Sequence, residues 1–131
     1  MKLTTLLLDT HTFLWWDNEI INLSPRVLSL CYDPTVILYL SLASLWEIQI
    51  KSSLGKLSLR LPLRDLIADH QRSNGLQLLP VTLDHVVALG LLPHHHKDPF
   101  DRLLIAQSQV DGMSIASADH VFANYPVSVV W

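Results

Sequence analysis

Four acidic residues stand where predicted strands give way to helices: Asp9, Glu47, Asp101 and Asp119. In an open parallel sheet these junctions gather at one edge, where ligands bind. Carboxylates brought together must share a cation or raise their pKa values, and hard oxygen ligands suit Mg²⁺ or Mn²⁺ better than zinc. Such a centre activates water and neutralises a phosphate during an in-line displacement. The four positions therefore predict a metal-dependent site that acts on phosphate esters.

Three of these acids also have a purely structural interpretation as helix caps. Ser44 and Glu47 have the S-x-x-E spacing of a capping box, and Asp119 is placed to cap a short helix. Asp101 is the third residue after a predicted cap, where acids are common. Asp9 differs, because it interrupts an apolar segment in which an unpartnered carboxylate is costly.

The segment HHHKDPFDR, residues 94–102, sets a histidine triplet (residues 94–96) beside two aspartates. Asp98 followed by Pro99 has the pattern of an N-cap and first helical position, and Arg102 lies four residues on, where it would pair with Asp98. An imidazole site would favour zinc or nickel, but no other His or Cys shows ligand spacing. We interpret the triplet as a solvated or phosphate-contacting loop, and the aspartates as the metal ligands.

Strand and helix patterns alternate along the chain. Apolar runs predict strands over residues 2–8, 35–41, 76–81, 113–117 and 127–131, and helical spacing predicts helices over 11–17, 24–33, 43–57, 61–75, 82–92 and 98–112, with a helical turn at 119–125. Ser24 and Pro25 are helix-start signals, and Gly55, Gly75 and Gly112 are helix-end signals. The alternation predicts an α/β fold, a three-layer α/β/α sandwich with a mainly parallel central sheet.

Composition narrows the class of protein. The 131 residues suit a single domain spanning 1–131, and they are 50% hydrophobic and 16% charged, with a net charge of −3. The apolar excess predicts either a patch that a partner covers, and with it a homodimer, or only a well-filled core. The lone Cys31 forms no intramolecular disulfide, and Asp9 cuts the N-terminal apolar run too early for a signal peptide. No segment is long enough to cross a membrane, so a cytoplasmic protein is expected.

Four segments together resemble the PIN domain, and most closely the VapC-type toxins of bacterial toxin–antitoxin pairs: LLLDTHTFLWW, SLASLWEIQIKSSLGKL, HKDPFDRLLIAQSQ and SIASADHVFANYPVSVVW. The resemblance covers nearly the whole chain in order. It implies a Mg²⁺- or Mn²⁺-dependent endoribonuclease with an α/β/α fold, RNA as substrate, a cognate VapB-like antitoxin and a homodimer. It carries the family's four acids onto Asp9, Glu47, Asp101 and Asp119. Many relatives have threonine where this chain has Ser117, which keeps the hydroxyl.

Other side chains are predicted to support this site. Thr10 and Ser117 carry the hydroxyls best placed to bond the carboxylates or an attacking water, although either one also suits a helix cap. A basic rim for RNA phosphates is predicted from Lys51, Lys56, Arg60 and Arg64, for which solvated helix faces are the alternative. His96 is the member of the triplet expected to contact RNA or to orient Asp98.

Two other function classes compete with a ribonuclease. A haloacid-dehalogenase-type phosphatase also begins with an aspartate after its first strand, but it requires a second acid two residues later, where this chain has His11. A non-catalytic PIN-like module that binds RNA or a partner is the remaining alternative. For the antitoxin, an apolar groove near the site is predicted from Leu14, Trp15, Trp46 and Leu54, into which an amphipathic helix would fit.

Overall fold

A five-stranded, fully parallel sheet lies at the centre of the protein in the computed structural model, which describes residues 4–131. The strands are β1 (Thr5–Leu8), β2 (Ile37–Ser41), β3 (Gln77–Leu79), β4 (Ser114–Ala116) and β5 (Val129–Val130), in the order β3-β2-β1-β4-β5. Each neighbouring pair runs parallel. β1 is central, and its Leu6, Leu7 and Leu8 are fully buried, as expected of a strand covered on both faces.

Six α-helices cover the two faces of the sheet: α1 (Thr10–Asn18), α2 (Pro25–Tyr32), α3 (Leu42–Ser53), α4 (Leu63–Asn74), α5 (Leu83–Leu91) and α6 (Pro99–Asp111). Two 3₁₀ turns, Ile20–Asn22 and His120–Asn124, complete the described elements. The first of these was not predicted. Among residues 4–131, none of the helices combines the length and apolar character needed to cross a lipid bilayer.

The alternation of side chains along β1 divides the interior into two cores. Leu6 and Leu8 pack with residues of α1 to α4 on one face. Leu7 packs on the other face with α6 residues such as Leu104 and Ile105, beneath α5. The predicted three-layer α/β/α sandwich is therefore confirmed, and the sheet is parallel throughout.

Local signals set most helix ends as predicted. The Ser24 hydroxyl accepts a hydrogen bond from the Val27 N–H at 3.2 Å, and Pro25 is the first residue of α2. Gly75 and Gly112 follow α4 and α6 with φ of 66° and 65°, a left-handed backbone that glycine adopts without steric cost. The predicted first strand extends to residue 2, and its start lies outside the described residues.

The order of the strands creates a crevice beside β1. The chain runs from β1 outward to β2 and β3, and then returns to place β4 on the other side of β1. The connections leaving β1 and β4 therefore pass to opposite sides, which opens the carboxyl edge of the sheet between them. Such a switch point is where open α/β sheets bind ligands.

Candidate metal centre

Asp9 lies at the switch point, directly after β1. Its carboxylate caps α1 by accepting a hydrogen bond from the Thr12 N–H at 2.8 Å, and its own N–H donates to the Ala116 carbonyl of β4 at 3.1 Å. Only 5% of the residue is exposed. Burial raises the pKa of Asp9, while hydrogen bonds from Thr12 and Ser117 oppose that rise. The Asp9 carboxyl group is therefore held in a fixed position at the carboxyl edge of the sheet, with little access to water.

Glu47 enters the same edge from α3. Its Oε1 accepts a hydrogen bond from the Thr10 hydroxyl at 2.7 Å, and its Oε2 forms an ion pair with Lys51 Nζ at 2.7 Å. The capping-box interpretation was wrong, because α3 begins at Leu42 with Ser41 as its N-cap, so Glu47 lies in the second turn. The Ser44 hydroxyl lies 3.0 Å from the Thr10 hydroxyl instead of capping the helix.

Asp98 and Asp101 lie at the start of α6. Asp98 caps this helix as predicted, with its Oδ1 accepting from the N–H groups of Phe100 at 2.8 Å and Asp101 at 3.3 Å. The pKa of Asp101 is raised to about 7, first by burial and then by repulsion from Asp98, Asp9 and Glu47, while His96 acts in the opposite direction. Carboxylates from three separate parts of the fold therefore repel the charged form of Asp101.

Arg102 does not support the acids in the predicted way. Its Nη2 donates to the Leu92 carbonyl at 3.1 Å and to the Leu89 carbonyl at 3.5 Å. Within residues 4–131, no ion pair joins it to Asp98. The prediction failed because carbonyl groups at the end of α5 lie within reach of Arg102, while the Asp98 carboxylate already accepts two backbone N–H groups. Arg102 therefore fastens α6 to α5.

Asp119 follows β4 and meets His96 across the crevice. Its Oδ2 lies 2.7 Å from His96 Nε2, and Asp101 Oδ2 lies 3.2 Å from the same nitrogen. Burial alone would raise the pKa of Asp119, but hydrogen bonds from the Val121 N–H and from His96 hold it below its usual range. With 39% of its side-chain surface exposed, Asp119 is the most accessible of the four acids.

The hydrogen bonds of His96 indicate which ring nitrogen carries a proton. Its Nδ1 accepts from the Asp98 N–H at 3.0 Å, so a neutral ring carries its proton on Nε2 and donates it to Asp119 and Asp101. The three residues have the spacing of a metal site, but Nε2 has no free lone pair in this arrangement. The His96 ring is therefore not solvated: it orients the carboxylates of Asp119 and Asp101, and a contact of this loop with RNA phosphates stays a prediction.

The rest of the triplet stays outside the cluster. His94 and His95 are exposed, and the His95 ring packs edge-on against Tyr125 with centroids 5.1 Å apart. The Tyr125 hydroxyl donates to the Pro93 carbonyl at 2.7 Å and accepts from the His96 N–H at 2.9 Å. Tyr125, which sequence reasoning missed, thus fixes the loop that presents His96; nothing in its local sequence signals this role.

The two predicted hydroxyls lie within the site. Thr10 is the first residue of α1, but Asp9 is the cap, so the Thr10 hydroxyl is free to bond Glu47. The Ser117 hydroxyl accepts from the Asp119 N–H at 3.1 Å, and it is also hydrogen-bonded to Asp9. Each hydroxyl therefore contacts a different acid of the set.

The basic residues that follow Glu47 do not form one rim. Lys51 reaches the acids directly, and Lys56 is exposed beyond the end of α3. Arg60 instead pairs with Asp17 at 2.9 Å, and Arg64 lines a separate, mainly apolar cavity between α3 and α4. Lys51 and Lys56 remain the predicted RNA contacts of this segment.

The donor set suits a hard divalent cation. The acids present carboxylate oxygens with little water around Asp9 and Glu47, and oxygen ligands are those that Mg²⁺ and Mn²⁺ prefer. Burial is the main cause of the raised pKa of Asp101, and repulsion from Asp98, Asp9 and Glu47 adds to it, so negative charge is concentrated at this edge. A bound cation would remove that repulsion. An open cleft of about 310 Å³ leads to the site, lined by Asp9, His11, Trp15, Ala118 and Asp119.

Comparison with known proteins places this arrangement among described families. The family model of the PIN domain matches residues 6–127. No curated protein matches the chain at a significant level.

Several solved structures share the fold. One is VapBC2 from Rickettsia felis, bound to a DNA fragment from its promoter. It is 13% identical to this chain with a TM-score of 0.70, over 97% of this chain and 98% of that one. DNA-bound VapBC from Salmonella typhimurium is 14% identical with a TM-score of 0.66, over 98% of each. VapBC-5 from Mycobacterium tuberculosis, of the VapBC family of toxin–antitoxin systems, is 16% identical with a TM-score of 0.59, over 97% and 96%. At these identities the likeness establishes the fold alone.

Proposed function

We propose that this chain, which belongs to the PIN domain family, is a Mg²⁺- or Mn²⁺-dependent endoribonuclease and the toxin of a toxin–antitoxin pair. The observation that carries the proposal is the convergence of carboxylates from β1, α3, α6 and the end of β4 at one edge of the sheet. The nuclease activity agrees with the family. Toxin action is supported by the VapBC proteins that share the fold.

Each acid has a distinct place in this proposal. Asp9 and Asp101 are the main cation ligands, and Glu47 and Asp119 complete the centre or position the attacking water. The cation would supply Lewis acidity and a more acidic bound water. The protein's own contribution is orientation: Thr10 holds Glu47 by a 2.7 Å hydrogen bond, and His96 holds Asp119 at 2.7 Å.

Cleavage of a labelled single-stranded RNA by the purified protein tests the activity. We expect cleavage with Mg²⁺ or Mn²⁺, none with a chelator, and a loss of at least about 100-fold in Asp9→Asn, because that carboxylate cannot be replaced by solvent. Glu19→Gln is the matched control, since Glu19 is an exposed carboxylate outside the cluster.

Four results would contradict the proposal in different ways. Cleavage that persists in the chelator would exclude a metal-dependent reaction. Full activity of Asp9→Asn would exclude the assigned ligands. Mn²⁺ and RNA binding without any cleavage would favour the non-catalytic module. A DNA strand of the same sequence, cut as fast as the RNA, would show that the substrate class is wrong.

The antitoxin is proposed to lie along an apolar stripe on α3. Leu42, Trp46 and Ile50 of α3 and Leu54 directly after it recur every fourth residue, and each has 37–63% of its surface exposed. Residues at this spacing share one helix face, and an amphipathic partner helix binds such a face. Lys51 and Glu47 lie on the same helix, so a partner seated there would also reach the acidic cluster.

Growth inhibition distinguishes this toxin model from a plain nuclease. Expression of the wild-type chain should arrest growth, and co-expression of the product of a small adjacent reading frame should relieve the arrest. Trp46→Ala should still arrest growth but escape relief, while Ile21→Ala, at a residue 91% exposed elsewhere, should behave as wild type. Equal relief of both variants would refute the α3 stripe.

The homodimer is proposed to form through α5. Leu83, Val87 and Leu91 lie four residues apart and are 77%, 56% and 82% exposed, with Val86 beside them at 51%. Such a continuous apolar face is unusual on a monomer. Sedimentation at micromolar concentration should give twice the 14.8 kDa chain mass, and Val87→Asp should give the monomer. A wild-type monomer would contradict the dimer, and a dimeric Val87→Asp would contradict this face.

A further inference from the structure

We infer that His11 and Trp15 form a stacking subsite for one unpaired RNA base next to the acidic centre. The inference rests on the proposed function and gives it a substrate class, single-stranded RNA with an accessible base. Both residues line the cleft that Asp9 and Asp119 also line. Aromatic and carboxylate walls therefore face the same small space.

The backbone explains why these two rings meet the acids. Asp9 is the N-cap of α1, and positions 11 and 15 are four residues apart on that helix, hence on one face. The ring centroids of His11 and Trp15 lie 6.0 Å apart with planes inclined by 48°. The start of α1 thus presents the carboxylate and both rings to one cleft.

Trp15 is held in place from its other side. The Trp131 ring lies 5.9 Å from it, centroid to centroid, and Trp15 packs against the core that contains Leu6 and Phe13. Only part of Trp15 is accessible, whereas His11 is exposed. A ring supported from behind can receive a base with little loss of side-chain entropy.

The shape and chemistry of the cleft suit a single nucleotide. Its volume of about 310 Å³ is at the lower end of small-ligand pockets, about 300–1,000 Å³. A nucleotide offers two unlike ends: a phosphate, which a cation held by the acids would attract, and a flat base, which stacks on aromatic rings. In a duplex the base is already stacked between its neighbours, so only an unpaired base can reach the ring.

The neighbouring tryptophans do not share this role. Trp16 is 6% exposed and fills the core, and Trp46 packs edge-on against Phe100 with centroids 5.3 Å apart. Sequence reasoning assigned Trp15 to the antitoxin groove together with Trp46. The structure separates the two, because Trp46 is on the α3 stripe and Trp15 lines the acidic cleft. Carboxylates opposite Trp15 disfavour an apolar partner helix at that point.

Binding measurements that do not depend on cleavage test the subsite. In the Asp101→Asn background, anisotropy of a labelled single-stranded RNA is followed at a fixed salt concentration in a chelator, so that neither cleavage nor cation binding contributes. Trp15→Leu should weaken binding by roughly 5- to 100-fold, the effect of losing one base–aromatic stack. Trp15→Phe should stay within about threefold, because phenylalanine also stacks. Trp46→Leu, outside the cleft, should bind as the parent does.

An abasic oligonucleotide series separates stacking from any structural effect of the substitution. Each oligonucleotide of the series lacks one base. At one position, omitting the base should lower the affinity of the parent protein, whereas the affinity of Trp15→Leu, already reduced, should fall no further. His11→Ala, at an exposed residue, should weaken RNA binding less than Trp15→Leu does. This loss of affinity should disappear when the base at that same position is omitted. Duplex RNA should not distinguish Trp15→Leu from the parent.

Several outcomes would overturn the subsite. Unchanged binding by Trp15→Leu, or an equal loss with every abasic oligonucleotide, would exclude stacking. A Trp15→Leu protein that bound RNA normally but escaped its antitoxin would assign the ring to the partner instead. If the cleavage tests fail but the abasic pattern appears, the subsite stands and the nuclease does not. If cleavage depends on Asp9 but the abasic pattern is missing, the nuclease stands and the subsite does not.

Discussion

Replacing Asp101 with asparagine should stabilise the metal-free protein at neutral pH. The substitution keeps the size of the side chain and leaves an oxygen that can accept from His96 Nε2, 3.2 Å away from Asp101 in the native protein. It removes a charge that burial and the carboxylates of Asp98, Asp9 and Glu47 disfavour. The same change should abolish metal-dependent cleavage, because Asp101 is proposed as a main cation ligand.

The size and pH dependence of this effect follow from the pKa. In the folded protein the pKa of Asp101 is about 7, compared with 3.8 ordinarily. Because the folded pKa is raised, the unfolded chain releases this proton first, so the group lowers the free energy of unfolding as pH rises from about 4 to about 7. The full difference corresponds to roughly 4 kcal/mol. We expect a gain of about 1–4 kcal/mol, since water entering the site would reduce the penalty.

Urea denaturation in a chelator, at pH values between about 4 and 8, measures this gain. The difference between Asp101→Asn and wild type should be near zero at pH 4, grow through pH 6 and level off above pH 7. For a domain of this size the plateau corresponds to at least about 3 °C in Tm. Glu19→Gln, an exposed carboxylate-to-amide control, should show no such pH-dependent gain.

Two results would refute this reasoning. An Asp101→Asn protein that is no more stable than wild type at pH 8 would show that the carboxylates do not repel one another as the geometry indicates. A gain of equal size at pH 4 and pH 8 would show that its origin is not ionisation. Saturating Mn²⁺ should make wild type the more stable of the two proteins. The ion stabilises only a protein that binds it tightly, and wild type keeps the Asp101 carboxylate that we propose as a ligand.

Three further changes test the groups that orient the acids. Replacing the histidine triplet by alanine should leave Mn²⁺ affinity within a few fold by calorimetry, because the carboxylates remain and His96 presents a proton to them; a collapse of binding would make His96 a ligand. Thr10→Val should slow cleavage about tenfold or more and Thr10→Ser much less, because only serine keeps the 2.7 Å bond to Glu47, and equal rates would contradict that role. Tyr125→Phe should lower the free energy of unfolding by about 1–3 kcal/mol in urea titration, since it removes two hydrogen bonds of the His96 loop; no loss would show that the loop does not depend on them.

The sequence alone determined the features that depend on neighbouring residues. Ser24 and Asp98 cap the helices that follow them, because a cap bonds N–H groups only two or three residues away. Gly75 and Gly112 end helices because a positive φ is a property of the residue itself. The alternation of apolar runs with helical spacing likewise predicted the layered sheet, since period and burial are linked along each element.

Only the tertiary structure decided which side chains meet across the crevice. His96 reaches Asp119 over 23 positions of sequence, and Thr10 reaches Glu47 over 37. Arg102 turned to the carbonyls at the end of α5, although Asp98 lay four residues away in sequence. Such choices depend on how α5, α6 and the sheet edge pack, and on which polar groups that packing leaves without partners. No local pattern of residues carries that information, because the competing partners come from other parts of the chain.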